Sequence, residues 1–236
     1  MIKRLIIVFF CLLIPSVAYA GPTTASGVTA GTIIERARAD LNAINESGVT
    51  DVFYPDSDLI QWANEAVVQI VNKTRCLESG ASNISVKNLT RRYSINKTFL
   101  DVEMVEYDTG NTTDPKKPMI YTLDRVEKKD IGHNWETGNP KVYSVWNDNL
   151  EIWPMPASAQ SGNTLYLYTI DLPSGVTSTE SVIETPASLD AAILCYVKSK
   201  GLYKSGNNNQ GNQFLAIFDL MVKEYAINVL RRKPLE

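Results

Sequence analysis

The chain has 236 residues, 44% of them apolar and 21% charged, with a formal net charge of −3 at neutral pH. That is enough length and apolar content to bury a real core, as one large domain or one domain carrying an insertion. The mildly acidic balance, with no basic run outside the two termini, argues against a dedicated nucleic-acid-binding face.

The first twenty residues differ from the rest. Lys3 and Arg4 precede an apolar run from Leu5 to Ile14, and Ala18-Tyr19-Ala20 precedes Gly21. This is the layout of a secretory signal peptide and is short for a membrane span. A buried or interfacial N-terminal helix, or a start placed too early, are the alternatives. Residues 21–31, GPTTASGVTAG, read as a flexible arm.

In TIIERARADLN, Thr32 and Glu35 have capping-box spacing, and Ile33, Ile34, Ala37 and Leu41 make a short apolar face. Asn42 to Tyr54 reads as a loop, with Phe53-Tyr54 as a staple for the next helix. PDSDLIQWANEAVVQIVNKTR follows, with Leu59, Ala63, Ala66, Val67 and Ile70 at the spacing of one helix face. Asp56 or Ser57 suits its N-cap, and Lys73 and Arg75 suit its C-terminal dipole.

From Ser85 to Asp171 the apolar residues are strand formers. Leu100, Val102, Met104 and Glu106 alternate against Asp101, Glu103, Val105 and Tyr107. Lys141–Val145 and Leu150–Trp153 flank Trp146-Asn147-Asp148-Asn149, a hairpin signal. TLYLYTI, 164–170, is the clearest strand, with Leu165, Leu167 and Thr169 on one face. DRVEKKD, 124–130, reads as a short exposed helix. An antiparallel meander of five or six strands is the expectation. Helices return after Thr185-Pro186, a cap and first-turn pair. Leu189, Ala192, Ile193, Tyr196 and Val197 form one face, and Phe214, Phe218, Met221, Tyr225 and Val229 form the last stripe.

The predicted fold is therefore α+β: a four-helix bundle made from N- and C-terminal helix pairs, with an inserted antiparallel β-sheet region. The divisions are a signal-peptide-like segment 1–20, an arm 21–31, a bundle from 32–76 and 185–233, and a β insertion 77–184. The bundle core should join Leu59, Ala63, Val67 and Ile70 to Phe218 and Tyr225.

Chemistry is hard to find. His133 is the single histidine, in the loop-like IGHNWE, with no partner motif; a locally packed or solvated ring is the plainer reading. There is no nucleophile elbow, phosphate loop or dinucleotide fingerprint. Cys11, Cys76 and Cys195 form no CxxC or Cys/His cluster; Cys76 and Cys195 read as free thiols rather than a pair. Asp101, Glu103 and Glu106 read as a solvated strand face, and Asn147-Asp148-Asn149 as a turn rather than a calcium loop. Trp135, Trp146 and Trp153 can be sheet core, an interface anchor or a ligand surface. The six N-x-[ST] sequons read as chance in an Asn-rich chain. The expectation is an interaction protein with no catalytic residue, metal or cofactor.

TIIERARADLN, then a loop, then YPDSDLIQWANEAVVQIV resembles the opening of tailed-phage head-to-tail adaptor (connector) proteins. The match rests on Arg36, Arg38, Leu41 and Asn42, then Tyr54, Asp58, Leu59, Ile60, Trp62, Asn64, Glu65 and Ala66. DVEMVEYD, GNPKVYSVWNDNLEIWPMP and LYLYTIDLPSGVTS…ETPASLDAAILCYV resemble the family's β region and return helix, so that the likeness spans about 30–233. It implies a virion protein at the portal vertex, assembled in the host cytoplasm as a ring of twelve copies. Its partners would be the portal and a tail or nozzle protein, with genome DNA passing through unbound. By the same likeness Arg231, Arg232, Lys233 and Pro234 would touch the portal. The signal-like N-terminus departs from the pattern. The other reading is an exported periplasmic or surface binding module, cleaved after Ala20 and using its Trp-rich β region.

Overall fold

The computed structural model describes residues 26–41, 53–95, 98–110, 119–132 and 135–230. The segment 1–20, residues 21–25 of the arm and most of the 42–54 loop lie outside these. In chain order the described elements are α1 (Ala30–Asp40), α2 (Asp56–Thr74), β1 (Glu78–Ser85), β2 (Arg92–Ser94), β3 (Phe99–Asp108), β4 (Ile120–Thr122), β5 (Asp124–Arg125), β6 (Val142–Trp146), β7 (Asn149–Trp153), β8 (Thr164–Asp171), α3 (Asp190–Lys204) and α4 (Asn208–Asn228).

α2 buries Leu59, Ala63, Ala66, Val67 and Ile70, the set its 3.6-residue period marks. α1 buries Ile33, Ile34 and Ala37. α3 is the hub, packed on α1, α2 and α4, whereas α1 makes no substantial packing with α4. The helix starts differ from the expected caps. α1 begins at Ala30, so Thr32 lies inside it, and no side chain caps it. Instead the amides of Ala30 and Gly31 donate to the Ser181 and Thr179 carbonyls at 2.9 and 2.8 Å. A distant segment thus satisfies donors that a helix start leaves open. α2 likewise has no side-chain cap; Arg38 reaches across to Asp56 Oδ1 at 2.5 Å and to the Tyr54 carbonyl at 3.0 Å. α3 starts at Asp190, after a 3₁₀ turn at Ala187–Leu189 that occupies the place expected for its first turn.

The expected four-helix bundle with one inserted antiparallel sheet is not what forms. The architecture is α+β with four helices and two four-stranded sheets among the described residues, ordered β1-β8-β3-β4 and β2-β7-β6-β5. Nor is there a meander: β8 pairs with both β1 and β3 from far along the chain, and β5 runs parallel to β6. DRVEKKD forms β5 and a turn, not a helix. The β part has its own core, in which Val102, Val105, Tyr107, Leu165 and Leu167 of the first sheet meet Tyr93, Tyr143, Leu150 and Ile152 of the second. Such a core must come from two inner sheet faces packed together.

Two bulges in β3, between Phe99 and Asp101 and between Val102 and Met104, break its alternation. Val105 and Tyr107 therefore join Val102 inside, on the face the strict two-residue period had assigned to Asp101 and Glu103. The β6–β7 hairpin turns at Asn147 and Asp148, with φ of 46° and 60°. Positive φ at both central residues is the demand of a type I′ turn, which Asn and Asp tolerate.

Gly132 supports the indole of Trp153: a Cβ there would stand 2.3 Å from Cε2 of the ring. Gly132→Ala is expected to destabilise the fold by about 1–3 kcal/mol through overpacking. A urea midpoint equal to wild type would show that the ring can move aside.

Candidate functional site

Leu59, Ala63, Val67, Ile70, Phe218 and Tyr225 lie in one buried apolar cluster with the inner residues of α1 and α3. Tyr196 and Phe218 pack ring to ring, with centroids 5.0 Å apart. The last helix uses Gly211, Phe218, Val222, Tyr225 and Ala226 as its buried set; Phe214 and Met221 are half-buried and Val229 is exposed. Arg231, Arg232, Lys233 and Pro234 lie outside the described residues, as does His133.

The carboxylates noted in β3 are structural. Asp101 pairs with Arg75 at 3.1 Å and Arg125 at 3.0 Å, and Glu103 with Arg75 at 3.4 Å. Arg75 ends α2 in the left-handed conformation, φ 55°. It thus ties the helix end to the sheet. Between α2 and α3, Glu65 pairs with Lys200 at 3.0 Å and accepts from the Tyr196 hydroxyl at 3.2 Å, while Gln69 donates to that hydroxyl at 2.8 Å. Burial works to raise the Glu65 carboxyl, but Lys200, Gln61 and Tyr196 outweigh it and leave it below its ordinary value. Cys76 and Cys195 are not joined in a disulfide, and burial pushes the Cys195 thiol up. Among the described residues no group of three or more His, Cys, Asp or Glu side chains is placed to hold a metal ion.

What remains is surface. Trp135 is 85% and Trp146 63% exposed, and Trp153 is half-buried. Trp146 lines an open cleft of about 810 Å³ together with Lys128, Lys129 and Ser144, on the outer side of the second sheet. Beside it Glu151 is 3% exposed and meets three cations. Arg92 Nε lies at 2.6 Å, Arg91 Nε at 3.4 Å, and the Lys128 ammonium is in direct contact. Burial works to raise the Glu151 carboxyl, but Lys128 and Arg92 prevail and hold it below its ordinary value. Sequence reasoning missed this cluster. Its signal is a carboxylate between Leu150 and Ile152 in a strand, but nothing local shows that Arg91, Arg92 and Lys128 converge on it.

The outer side of the first sheet is different. Tyr168 donates to Glu106 Oε2 at 2.8 Å and Tyr166 to Asp108 Oδ2 at 3.3 Å. Glu106 pulls the Tyr168 hydroxyl up from its ordinary value. On α4 a second apolar set, Ile217, Leu220 and Ile227, is exposed. No described helix is long and apolar enough to cross a membrane.

These exposed aromatic, charged and apolar side chains are surface available for contact. No curated protein matches the chain. The family model for the SU10 adaptor protein matches residues 28–235, which is most of the chain. The chain is thus a member of the SU10 adaptor protein family, the phage head-to-tail adaptors, and so a structural component of a phage particle that works by contacting other structural proteins of that particle.

Proposed function

We propose that this protein forms the ring that joins the portal to the tail, as twelve copies around the channel through which genome DNA passes without specific contacts. The family match over residues 28–235 carries this reading. The exposed Ile217, Leu220 and Ile227 of α4 are compatible with it, as apolar side chains that a neighbouring chain can cover. In this reading the ring assembles in the host cytoplasm, binds a tail or nozzle protein on one side, and meets the portal through Arg231, Arg232, Lys233 and Pro234, which follow α4.

Sedimentation and negative-stain microscopy of the full chain, alone and with portal protein, test it. Rings alone or on the portal are expected. A species that stays monomeric and ignores the portal at micromolar concentration would overturn the assignment.

A further inference from the structure

We infer that the helical part and the β part hinge on one another, and that Arg75 is the latch that sets the angle between them. The two parts have separate cores, and no residue of the helix cluster belongs to the sheet cluster. No described helix packs substantially on a strand. The chain crosses between the parts at 75–77 and again at 172–175, where neither helix nor strand forms. The crossings touch through the bond from the Asp171 amide to the Leu77 carbonyl, at 2.8 Å. Parts that share no large apolar interface move relative to one another by default. Hinges are a few loop or element-terminal residues of this kind.

Arg75 spans the junction. It ends α2 in the left-handed conformation, φ 55°, a position that helix ends commonly give to glycine because a side chain is strained there. This chain has an arginine instead and uses its side chain. The guanidinium meets Asp101 at 3.1 Å and Glu103 at 3.4 Å, both on β3.

The contact can also open cheaply. Removing one partner from a buried ion pair is costly because a charge is left stranded. Opening this one strands none. Asp101 keeps Arg125, at 3.0 Å and within the β part. Glu103 is 37% and Arg75 30% exposed, so water reaches both. Arg75 also stays at a helix C-terminus, where positive charge is favoured. The latch thus holds one angle in the isolated chain and yields to a partner that favours another.

The test is the distance between the parts in the full chain, read by double electron–electron resonance. Spin labels are carried on unnatural amino acids at the exposed positions Asn88 and Gln213. Labelled chain is diluted into unlabelled, so the distance lies within one copy in any assembly. Wild type is expected to give one narrow distribution. Arg75→Asn removes the charge and keeps a residue that tolerates the left-handed conformation. Its distribution should be roughly twofold wider, or shifted, because the parts then take more than one arrangement. Lys204→Asn removes an ion pair with Asp58 inside the helical part and should change nothing. Should Arg75→Asn not fold, Glu103→Lys decides: it sets a cation against Arg75 and leaves the helix end alone. A variant distribution as narrow as that of wild type and at the same distance would overturn the latch. So would equal widening by Lys204→Asn, or a wild-type distribution already as wide as that of Arg75→Asn.

Discussion

Replacing Glu151 with alanine should cost about 3–5 kcal/mol of stability at neutral pH, the usual penalty for removing one partner of a buried ion pair. The reason is what stays behind. Arg91 and Lys128 are themselves mostly buried, at 19% and 28% side-chain exposure, and would face each other and Arg92 without a carboxylate between them. Glu151→Gln keeps an oxygen acceptor and should lose less. The effect also has a pH signature. Because the folded carboxyl lies below its unfolded value, its contribution is fully present above the unfolded value, near 4.3, and is lost as pH falls through the lowered folded one. The unfolded chain takes up the proton first, so acid favours unfolding. Urea denaturation of wild type and Glu151→Ala at pH 7 and pH 3 checks both points: the gap between them should narrow at pH 3. A gap that is small at pH 7, or equal at both pH values, would mean that the cluster contributes little to stability.

Phe218→Ala should be comparably damaging, about 3–5 kcal/mol, for a different reason. The ring is fully buried where α2, α3 and α4 meet, against Tyr196 and under the Lys73 ammonium, 5.6 Å from its centroid. Truncation leaves a cavity that three packed helices cannot readily close. Since domains of this size are stable by about 5–15 kcal/mol, that is a large share of the whole. Leu220→Ala, two residues along the same helix but exposed, should change the unfolding free energy read from urea denaturation by no more than about 0.5 kcal/mol. Similar losses at the two positions would show that α4 is not seated on the other helices through Phe218.

The helix faces could be read from the chain because a 3.6-residue period records burial directly. Leu59, Ala63, Val67 and Ile70 recur on α2, and Ala192, Ile193, Tyr196 and Val197 on α3, with no help from elsewhere. Helix starts were harder. Thr32 has the composition of a cap, yet α1 starts earlier because carbonyls at 179 and 181, about 150 residues away, accept its first amides. The strands show the same limit. The Asn147-Asp148 turn is a local preference and was legible; the bulges in β3 were not, and they turn Val105 and Tyr107 inward. Glu151 looked like one more strand carboxylate until three cations from two other segments closed around it.

The amino-acid sequence by itself determined the four described helices, the apolar faces of α2 and α3, the hairpin at 142–153 and the adaptor pattern that the family match identifies, but not the buried set of α4, where Val222 and Ala226 go inside and Val229 stays exposed. Periodicity, turn chemistry and motif order are all properties of neighbours in the chain. Only the tertiary structure decided that the eight strands among the described residues divide into two sheets with a shared core, where a four-helix bundle carrying one inserted sheet had been expected. That division depends on pairings such as β1 with β8, whose partners, from Ser85 with Thr164 to Glu78 with Ile170, lie about 80 to 90 residues apart. Hydrogen bonds between strands are made by backbone groups that every residue carries, so strand partners are chosen by packing across the whole molecule and not by the local sequence.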